Sequence, residues 1–323
     1  MSRKYITEKR ISQVEDVTKY WMALNSVRNA GPKTIQVLVR RFGSPEKVLS
    51  APAIEIARLP RMNLLLAGRI AGVGKDLGKF EKLIARMAEA GIDVLCPDSY
   101  EYPQLLRSID APPPVLYKRG TLPASGKPTV AIVGTRFPTS DGAEAAEKIA
   151  TGLADRGFVI VSGLAKGVDT AAHKGAIKAG GTTLAVLGSG LKMVYPQENN
   201  QLVDSICING AVLSECHPNE VVSGQRLIRR NRIISGLSLG VILIEPEKGS
   251  LNTALWAVKQ GRYIFVYSAN KKTENKLPPP LPEKMSLIHT IDELDGLADR
   301  LRAIRAATSK GNGSEQACLL QIG

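Results

Sequence analysis

Between residues 129 and 268, short apolar stretches alternate with longer amphipathic ones, and this alternation constrains the fold more than any other feature. The stretches 129–134, 158–163, 182–190, 211–215, 241–246 and 263–268 are rich in apolar and β-branched residues, which is typical of buried strands. Between them, the stretches 140–156, 169–179, 197–207, 229–236 and 250–260 have helical character. The pattern predicts an α/β fold, a Rossmann-like, mostly parallel sheet with helices on both faces.

The first 90 residues have a different pattern and most of the positive charge. Apolar residues recur at helical spacing between turns at Gly31, Gly43 and 72–74, which predicts a small all-α domain. This segment holds 17 Lys and Arg against 8 Asp and Glu, so +9 of the net charge of +13 lies here. So basic a domain favours a nucleic acid partner. Gly31 followed by Lys33 resembles a helix-hairpin-helix or SAM-like turn, although a plain helical bundle explains these residues equally well.

These patterns predict four regions along the chain. Residues 1–90 form the basic helical domain, 91–128 a strand and a proline-rich connection, 129–305 the Rossmann-like domain, and 306–323 a disordered tail. Within them, we expect a loose N-terminal segment over 1–15, a flexible insertion over 271–284 and a helix over 287–305.

The cysteines and the apolar segments exclude several classes of protein. The four cysteines are scattered without a CxxC pair, which argues against a zinc site and is typical of the reducing cytoplasm. No apolar run is long enough to span a membrane, and no apolar run follows MSRKYITEKR, so we expect neither a membrane segment nor a signal peptide. No metal or cofactor is predicted.

The residues that follow the predicted strands point to an anion site. Ligands of parallel sheets bind at the carboxyl ends of the strands. The residues expected there are small or basic: Gly134, Arg136, Ser162, Gly163, Lys166, Gly167, Gly188, Gly190, Lys248, Gly249 and Ser250. Loop N–H groups beside a helix N-terminus favour phosphate. Because both the dinucleotide fingerprint GxGxxG and the Walker pattern are missing, we do not expect NAD or ATP held in the usual way.

A second basic cluster lies in the sequence RLIRRNRIISGLS. It consists of Arg226, Arg229, Arg230, Asn231 and Arg232. On a helix, Arg229 and Arg232 share a face, and guanidinium groups suit phosphate oxygens. A solvated helix face would normally include acidic residues, so we interpret the cluster as a phosphate-binding surface.

Several of these stretches together resemble the DNA-processing protein A (DprA/Smf) family. They are VGTR (133–136), VSGLAKGVDTAAH (161–173), AVLGSGLKMVYPQEN (185–199), LSE (213–215), RRNRIISGLS (229–238) and GSLNTALWAVKQGRYIFV (249–266). The resemblance covers about residues 20–270, in matching order and spacing. Two positions depart from it: Leu227-Ile228 stand where the family usually has Phe-Pro, and Lys248-Gly249-Ser250 where it has Ser-Gly-Ser. We do not expect the C-terminal winged-helix module of many members.

The resemblance implies a function as well as a fold. It implies a cytoplasmic, non-catalytic protein that binds single-stranded DNA, forms a homodimer and helps to load the RecA recombinase during natural transformation. Arg136 and the arginines of RRNR would contact phosphates, and the 163–167 loop would form part of the pocket. The family's aromatic residue, at the position of Leu227-Ile228 here, would stack a base. Because we find few aromatics near the predicted edge of this chain, we expect base identity to matter little.

Two alternatives of other classes stay open. The chain could be an enzyme related to the lysine-decarboxylase-like nucleotide hydrolases, or a sensor whose pocket holds a small phosphorylated ligand. Residues 249–256 lack the carboxylate that such hydrolases use. Asp169 with His173 could act as an acid–base pair, and Glu215 with Glu245 as paired carboxylates, although structural roles for all four residues explain the sequence better. Ser162 and Ser214 have no evident histidine partner.

Overall fold

The structure, a computed structural model, describes residues 17–268 and 284–319, with side chains through residue 307. The expected loose segment 1–15 and nearly all of the expected insertion 271–284 lie outside the described residues. So does Cys318 as a side chain, whereas Cys96, Cys207 and Cys216 are free thiols.

The centre of the fold is one nine-stranded sheet in the order β1-β2-β6-β5-β4-β3-β7-β8-β9. The strands from β6 to β9 in this order run parallel, and β1 and β2 are antiparallel additions at one side. The strands are β1 (Asp93–Leu95), β2 (Leu116–Gly120), β3 (Thr129–Gly134), β4 (Val159–Ser162), β5 (Thr183–Val186), β6 (Ala211–Ser214), β7 (Gly240–Ile244), β8 (Tyr263–Tyr267) and β9 (Met285–Ile288). The predicted Rossmann-like, mostly parallel architecture is confirmed.

Helices cover both faces of the sheet and form the N-terminal domain. In chain order they are α1 (17–25), α2 (Pro32–Phe42), α3 (Pro45–Ser50), α4 (Ala53–Ala57), α5 (Leu64–Val73), α6 (Gly78–Glu89), α7 (Gln104–Arg107), α8 (Ser140–Asp155), α9 (Val168–Lys178), α10 (Asn200–Asn209), α11 (Gly224–Gly236), α12 (Lys248–Lys259) and α13 (Leu294–Leu319). Short 3₁₀ turns at Gln197–Asn199 and Ile291–Glu293 precede α10 and α13.

The N-terminal helices pack on the sheet rather than forming a separate core. Their apolar cluster, which contains Trp21 and Ile35, is continuous with residues of β2, β5 and α10. At the boundary, the Trp21 indole N–H donates to Asp98, with 2.7 Å between Nε1 and Oδ2. Lys33, at the turn resembling a helix-hairpin-helix, forms an exposed ion pair with Asp110, with 2.7 Å between Nζ and Oδ2. Two side chains cap helices here as the sequence pattern favours, Ser44 for α3 and Asn63 for α5.

Three local predictions are wrong, each because a short segment responds to its surroundings. The helix predicted to begin at residue 287 begins later, because residues 285–288 form β9. This four-residue stretch has no periodicity of its own and pairs with β8. Within the proline-rich connection, residues 116–120 form β2 against β6. Helix α11 begins at Gly224 rather than near residue 229, because the Ser223 hydroxyl caps it by accepting the Arg226 N–H.

The last helix packs against α8. The buried side chains Leu297 and Leu301 of α13 belong to the same apolar cluster as Ile149 and Leu153 of α8, and Arg156 pairs with Asp295 at 2.6 Å. Helix α13 extends to Leu319, into the segment 306–323 for which the sequence predicts disorder. The domain boundaries stay a prediction.

The described residues contain neither a helix that could cross a membrane nor a cluster of metal ligands. Across 17–268 and 284–319, no helix combines the length and hydropathy needed to cross a bilayer. Over the same residues, no group of three His, Cys, Asp or Glu side chains could hold a metal ion.

The close contact of α8 with α9 makes a prediction about Gly175. A methyl group there would overlap the Glu147 carbonyl oxygen of α8, so we expect Gly175→Ala to lower the free energy of unfolding by about 1–3 kcal/mol. Gly68, in the interior of α5, has open space around it, and Gly68→Ala should raise that free energy by up to about 1 kcal/mol through helix propensity. Urea denaturation measures both, and equal effects of the two substitutions would contradict this account of the α8–α9 contact.

Candidate functional site

The loops that follow the parallel strands, together with the first turns of α11, form the surface that we call the carboxyl edge. It comprises the loop residues 135–139, 163–167, 187–196, 215–223 and 245–247, residues 224–232 of α11 and residues 248–250 at the start of α12. Contacts join neighbouring loops. The main chain at Thr135 and Arg136 touches Gly167, Gly188 lies against Leu227, and Gly190 lies against the carbonyl of His217. The sequence-predicted residues are therefore brought together at one edge of the sheet.

The glycine loop 163–167 is satisfied from inside the protein. The buried Asp169 carboxylate accepts the N–H of Gly163 at 3.1 Å and that of Ala165 at 3.3 Å. Ser162 is fully buried and its hydroxyl donates to the Ile132 carbonyl. These loop amides were expected to face an external anion, but two of them face Asp169. Gly167, with φ of 75°, supplies the backbone conformation at which α9 begins.

Arg230 occupies the space below that loop. Its guanidinium is buried and donates to the carbonyl oxygens of Gly163 and Val186, while Nη2 lies 4.0 Å from Oδ2 of Asp169. A Cβ atom on Gly163 would overlap this group. Burial lowers the pKa of Arg230 and raises the pKa of Asp169, and their mutual attraction opposes both shifts. Arg230 therefore ties α11 to two strand ends and is not available to a ligand.

Glu215, at the end of β6, binds the two arginines that share a face of α11. Its carboxylate accepts from Arg229 Nε at 2.9 Å and from Arg232 Nη2 at 2.6 Å. The Arg232 side chain is only 4% exposed, whereas that of Arg229 is 52% exposed. Of the two, Arg229 alone presents its guanidinium to solvent.

The remaining polar residues of the motif hold α11 against α12. Asn231 is buried and its Nδ2 donates to the Gly249 carbonyl at 3.2 Å. Ser250 is buried and forms a capping box with Glu247 at the start of α12. Lys248 and Gly249, in contrast, are exposed.

A carboxylate of the protein occupies the N-terminus of α8, where a phosphate would bind in a nucleotide site. Glu245 follows β7 with φ of 45°, an uncommon value for a non-glycine residue. It accepts both the backbone N–H and the hydroxyl of Thr139, the N-cap of α8. A Cβ on Gly142, in the first helical turn, would overlap the Glu245 carboxylate. The helix dipole thus already has an internal anion.

The cations that face solvent form a narrower set than the sequence predicts. Arg136, Arg229 and Lys248 are exposed, and Lys166 is half exposed, with its Nζ 2.5 Å from the Glu198 carboxylate. Arg226 is partly buried and pairs with Glu220 at 3.2 Å. The buried members of the predicted set are Ser162, Gly163, Gly188, Gly190, Arg230, Asn231, Arg232 and Ser250.

Exposed apolar side chains also lie at this edge, and the sequence patterns did not predict them. Phe137 is 83% exposed, Ile228 55%, Tyr195 44% and Met193 41%. Two of these side chains, Phe137 and Tyr195, are aromatic. A signal was present, because Phe137 directly follows Arg136 after a predicted strand, in a loop where no apolar side chain is needed for the core.

Asp169 and His173, suggested as an acid–base pair, are both buried, and each forms hydrogen bonds with other groups. His173 is fully buried, and its Nδ1 lies 2.7 Å from the Thr183 hydroxyl oxygen. Burial lowers the pKa of His173 to about 3, so the ring is neutral near pH 7. Both side chains are parts of the packing between α9 and the sheet.

A family model described as DNA recombination-mediator protein A matches residues 93–278. Among curated relatives, a protein Smf of Synechocystis is 37% identical over 252 residues, which are 76% of this chain and 63% of that protein. The DNA processing protein DprA of Bacillus subtilis is 41% identical over 191 residues, 58% of this chain and 64% of that protein. The chain thus spans less than two thirds of the length of these relatives.

Solved structures agree with these sequence relatives. The DNA processing protein A of Streptococcus pneumoniae superposes with a TM-score of 0.69 at 30% identity, covering 86% of this chain and 95% of that one. The Helicobacter pylori protein, whose structure is described as showing a unique single-stranded DNA binding mode, superposes with a TM-score of 0.57 at 28% identity. It covers 65% of this chain and 96% of its own.

The buried neutral His173 makes acid destabilise the fold. Because its native pKa lies below the unfolded value near 6.5, the unfolded state takes up the proton first, and stability is lost as the pH falls from about 6.5 towards 3. The expected loss is about 1.4 kcal/mol per pH unit once the slope has developed. His173→Asn should remove this component in urea titrations between pH 7 and 5, and exposed His289→Asn should not. If His173→Asn and the parent lost the same free energy of unfolding between pH 7 and 5, this assignment would be rejected.

Proposed function

This chain belongs to the DNA recombination-mediator protein A family, and on that premise we propose that it binds single-stranded DNA without cutting it and helps to load the RecA recombinase onto that strand. The observation that supports the proposal best is the carboxyl edge itself. Arg136, Lys166, Arg229 and Lys248 present positive charge along an edge whose loops are fixed by internal hydrogen bonds. Such an edge suits a polyanion that lies across several loops.

The internal contacts of the edge speak against a small-nucleotide site. The Asp169 and Glu245 carboxylates occupy the two places where a phosphate would otherwise meet loop amides or a helix N-terminus. Residues 249–256, where a related hydrolase would need a carboxylate, contain none. For these reasons we prefer a DNA-binding function to that of a nucleotide sensor or an enzyme, and we propose that the role is non-catalytic.

The N-terminal domain supports a polymeric ligand. Lys75, Lys79, Lys82 and Arg86 are exposed at spacings of four, three and four residues, so the last three form one basic stripe along α6, with Lys75 just before it. A small ligand held at the carboxyl edge would not need this second basic surface. Lys33, which follows the hairpin-like turn, is paired with Asp110 and therefore adds less positive charge to the N-terminal domain.

The remaining parts of the proposal are a cytoplasmic location and a homodimer. The three described cysteines are free thiols, which agrees with a reducing compartment. For the homodimer we propose the outer face of α12, where Leu255 and Val258 are 56% and 46% exposed at a spacing of three residues. Exposed apolar side chains that share a helix face have a lower free energy when an interface removes them from water.

We expect the double variant Arg136→Ala/Arg229→Ala to bind single-stranded DNA more weakly at low salt. Loss of two phosphate contacts should reduce the slope of log K against log salt by about 1.4, since each contact on a single strand contributes about 0.7. Fluorescence anisotropy of a labelled strand at several salt concentrations measures this slope.

Lys148→Ala, which removes an exposed lysine in the middle of α8, is the matched control and should keep the parental slope. Glu215 retains Arg232 in the double variant, so the fold should be kept. A folded double variant with parental affinity and slope would exclude the carboxyl edge as the binding surface. A parent that fails to bind any single strand at low salt would reject the proposed function itself.

A second prediction concerns the homodimer. Leu255→Lys/Val258→Lys should shift the protein from dimer to monomer in sedimentation velocity, because two charges would have to be buried in the interface. Ile208→Lys, at an apolar position of α10 that is 85% exposed, should leave the dimer intact. A monomeric parent, or a dimer that survives the double substitution, would contradict the α12 assignment.

A further inference from the structure

We propose that Phe137 is a stacking platform for one base of the bound strand. This inference rests on the proposed function and adds a residue that contacts a base rather than a phosphate. The ring is 83% exposed on the loop that follows β3, the first strand of the parallel sheet. Exposure alone is a weak argument, because single exposed apolar residues are common on protein surfaces. Three further observations support the assignment.

The first observation is that the loop carrying the ring is rigid. Thr135 is buried, its carbonyl accepts the Val168 N–H at 3.2 Å, and its hydroxyl accepts the Phe137 N–H at 3.1 Å. Pro138 restricts the backbone of Phe137. Thr139, at the other end, donates its N–H to Glu245 at 2.9 Å. The loop is thus fixed on both sides of the ring, so a base that stacks there has little conformational entropy to pay for.

The second observation is the charge beside the ring. Arg136 is exposed at the neighbouring position, and its main chain touches Gly167, which directly follows exposed Lys166. An exposed ring on an edge that also carries exposed cations suits an unpaired nucleotide, with the base on the ring and the phosphates on the charges.

The third observation is a contrast with Tyr100, another aromatic side chain that is 88% exposed. Tyr100 lies in the connection before the main domain, with the acidic residues Asp98 and Glu101 nearby in sequence. Ser99 and Glu101 adjoin Tyr100 in the chain, whereas exposed Arg136 adjoins Phe137. Tyr100 therefore has the exposure of Phe137 without its electrostatic setting, and it provides a matched control.

The experiment compares Phe137→Ala, Phe137→Trp and Tyr100→Ala in anisotropy titrations with a labelled single strand. Phe137→Ala should bind about 5- to 150-fold more weakly, the range expected for one lost base stack, with an unchanged slope of log K against log salt. Phe137→Trp should restore the affinity, and its fluorescence should be quenched by the strand. Tyr100→Ala should bind like the parent. On a strand with abasic sites throughout, the parent and Phe137→Ala should bind equally.

Each contrary result has a separate meaning. Phe137→Ala with the affinity of Tyr100→Ala would overturn the assignment while the proposed function stands. Loss of affinity together with a lower salt slope, or an equal loss on the abasic strand, would also overturn it, because the ring would then act by positioning Arg136. A parent without affinity for any single strand would instead reject the proposed function.

Discussion

The buried guanidinium of Arg230 holds the functional edge of this protein together. It crosses from α11 to the carbonyl oxygens at the ends of β4 and β5 and lies 4.0 Å from Asp169, which in turn accepts the amides of the glycine loop. A buried charge is tolerated only when it is paired and hydrogen-bonded, and loss of one partner of such a pair costs about 3–5 kcal/mol. Strands, loop and helix are therefore fixed relative to one another before any ligand binds.

This internal bonding decides what kind of ligand the edge can take. In a nucleotide-binding sheet, loop amides and the first helix N-terminus are left open for phosphate. Here Asp169 binds loop amides and Glu245 caps the N-terminal turn of α8. What remains for a ligand is the layer of side chains above, with Arg136, Phe137 and Arg229 among its most exposed members. Exposed charges and aromatic side chains on several loops suit an extended strand better than a compact molecule.

Much of the fold follows from local pattern, and the failures have a common cause. Strands β3 to β8 and helices α8 to α10 lie where apolar runs and amphipathic stretches predict them, because buried parallel strands are apolar throughout and their helices are long enough to show a period. Residues 116–120 (LYKRG) and 285–288 (MSLI) mix polar with apolar side chains and show neither pattern. They became strands because an open sheet edge offered partners, β6 in one case and β8 in the other.

Periodicity, strand direction and composition were enough to predict the fold class, the edge of the sheet that carries the candidate site and the residue types gathered there. Which of those groups reach solvent depends on tertiary contacts. Arg229 and Arg230 are adjacent in sequence, yet a rotation of about 100° along α11 leaves the first exposed and buries the second beneath Gly163. Phe137 is exposed for the complementary reason: hydrogen bonds of its loop with Val168 and Glu245, which belong to distant elements, fix the loop where the ring stays 83% exposed. Burial depends on contacts between distant elements, and no local pattern records them.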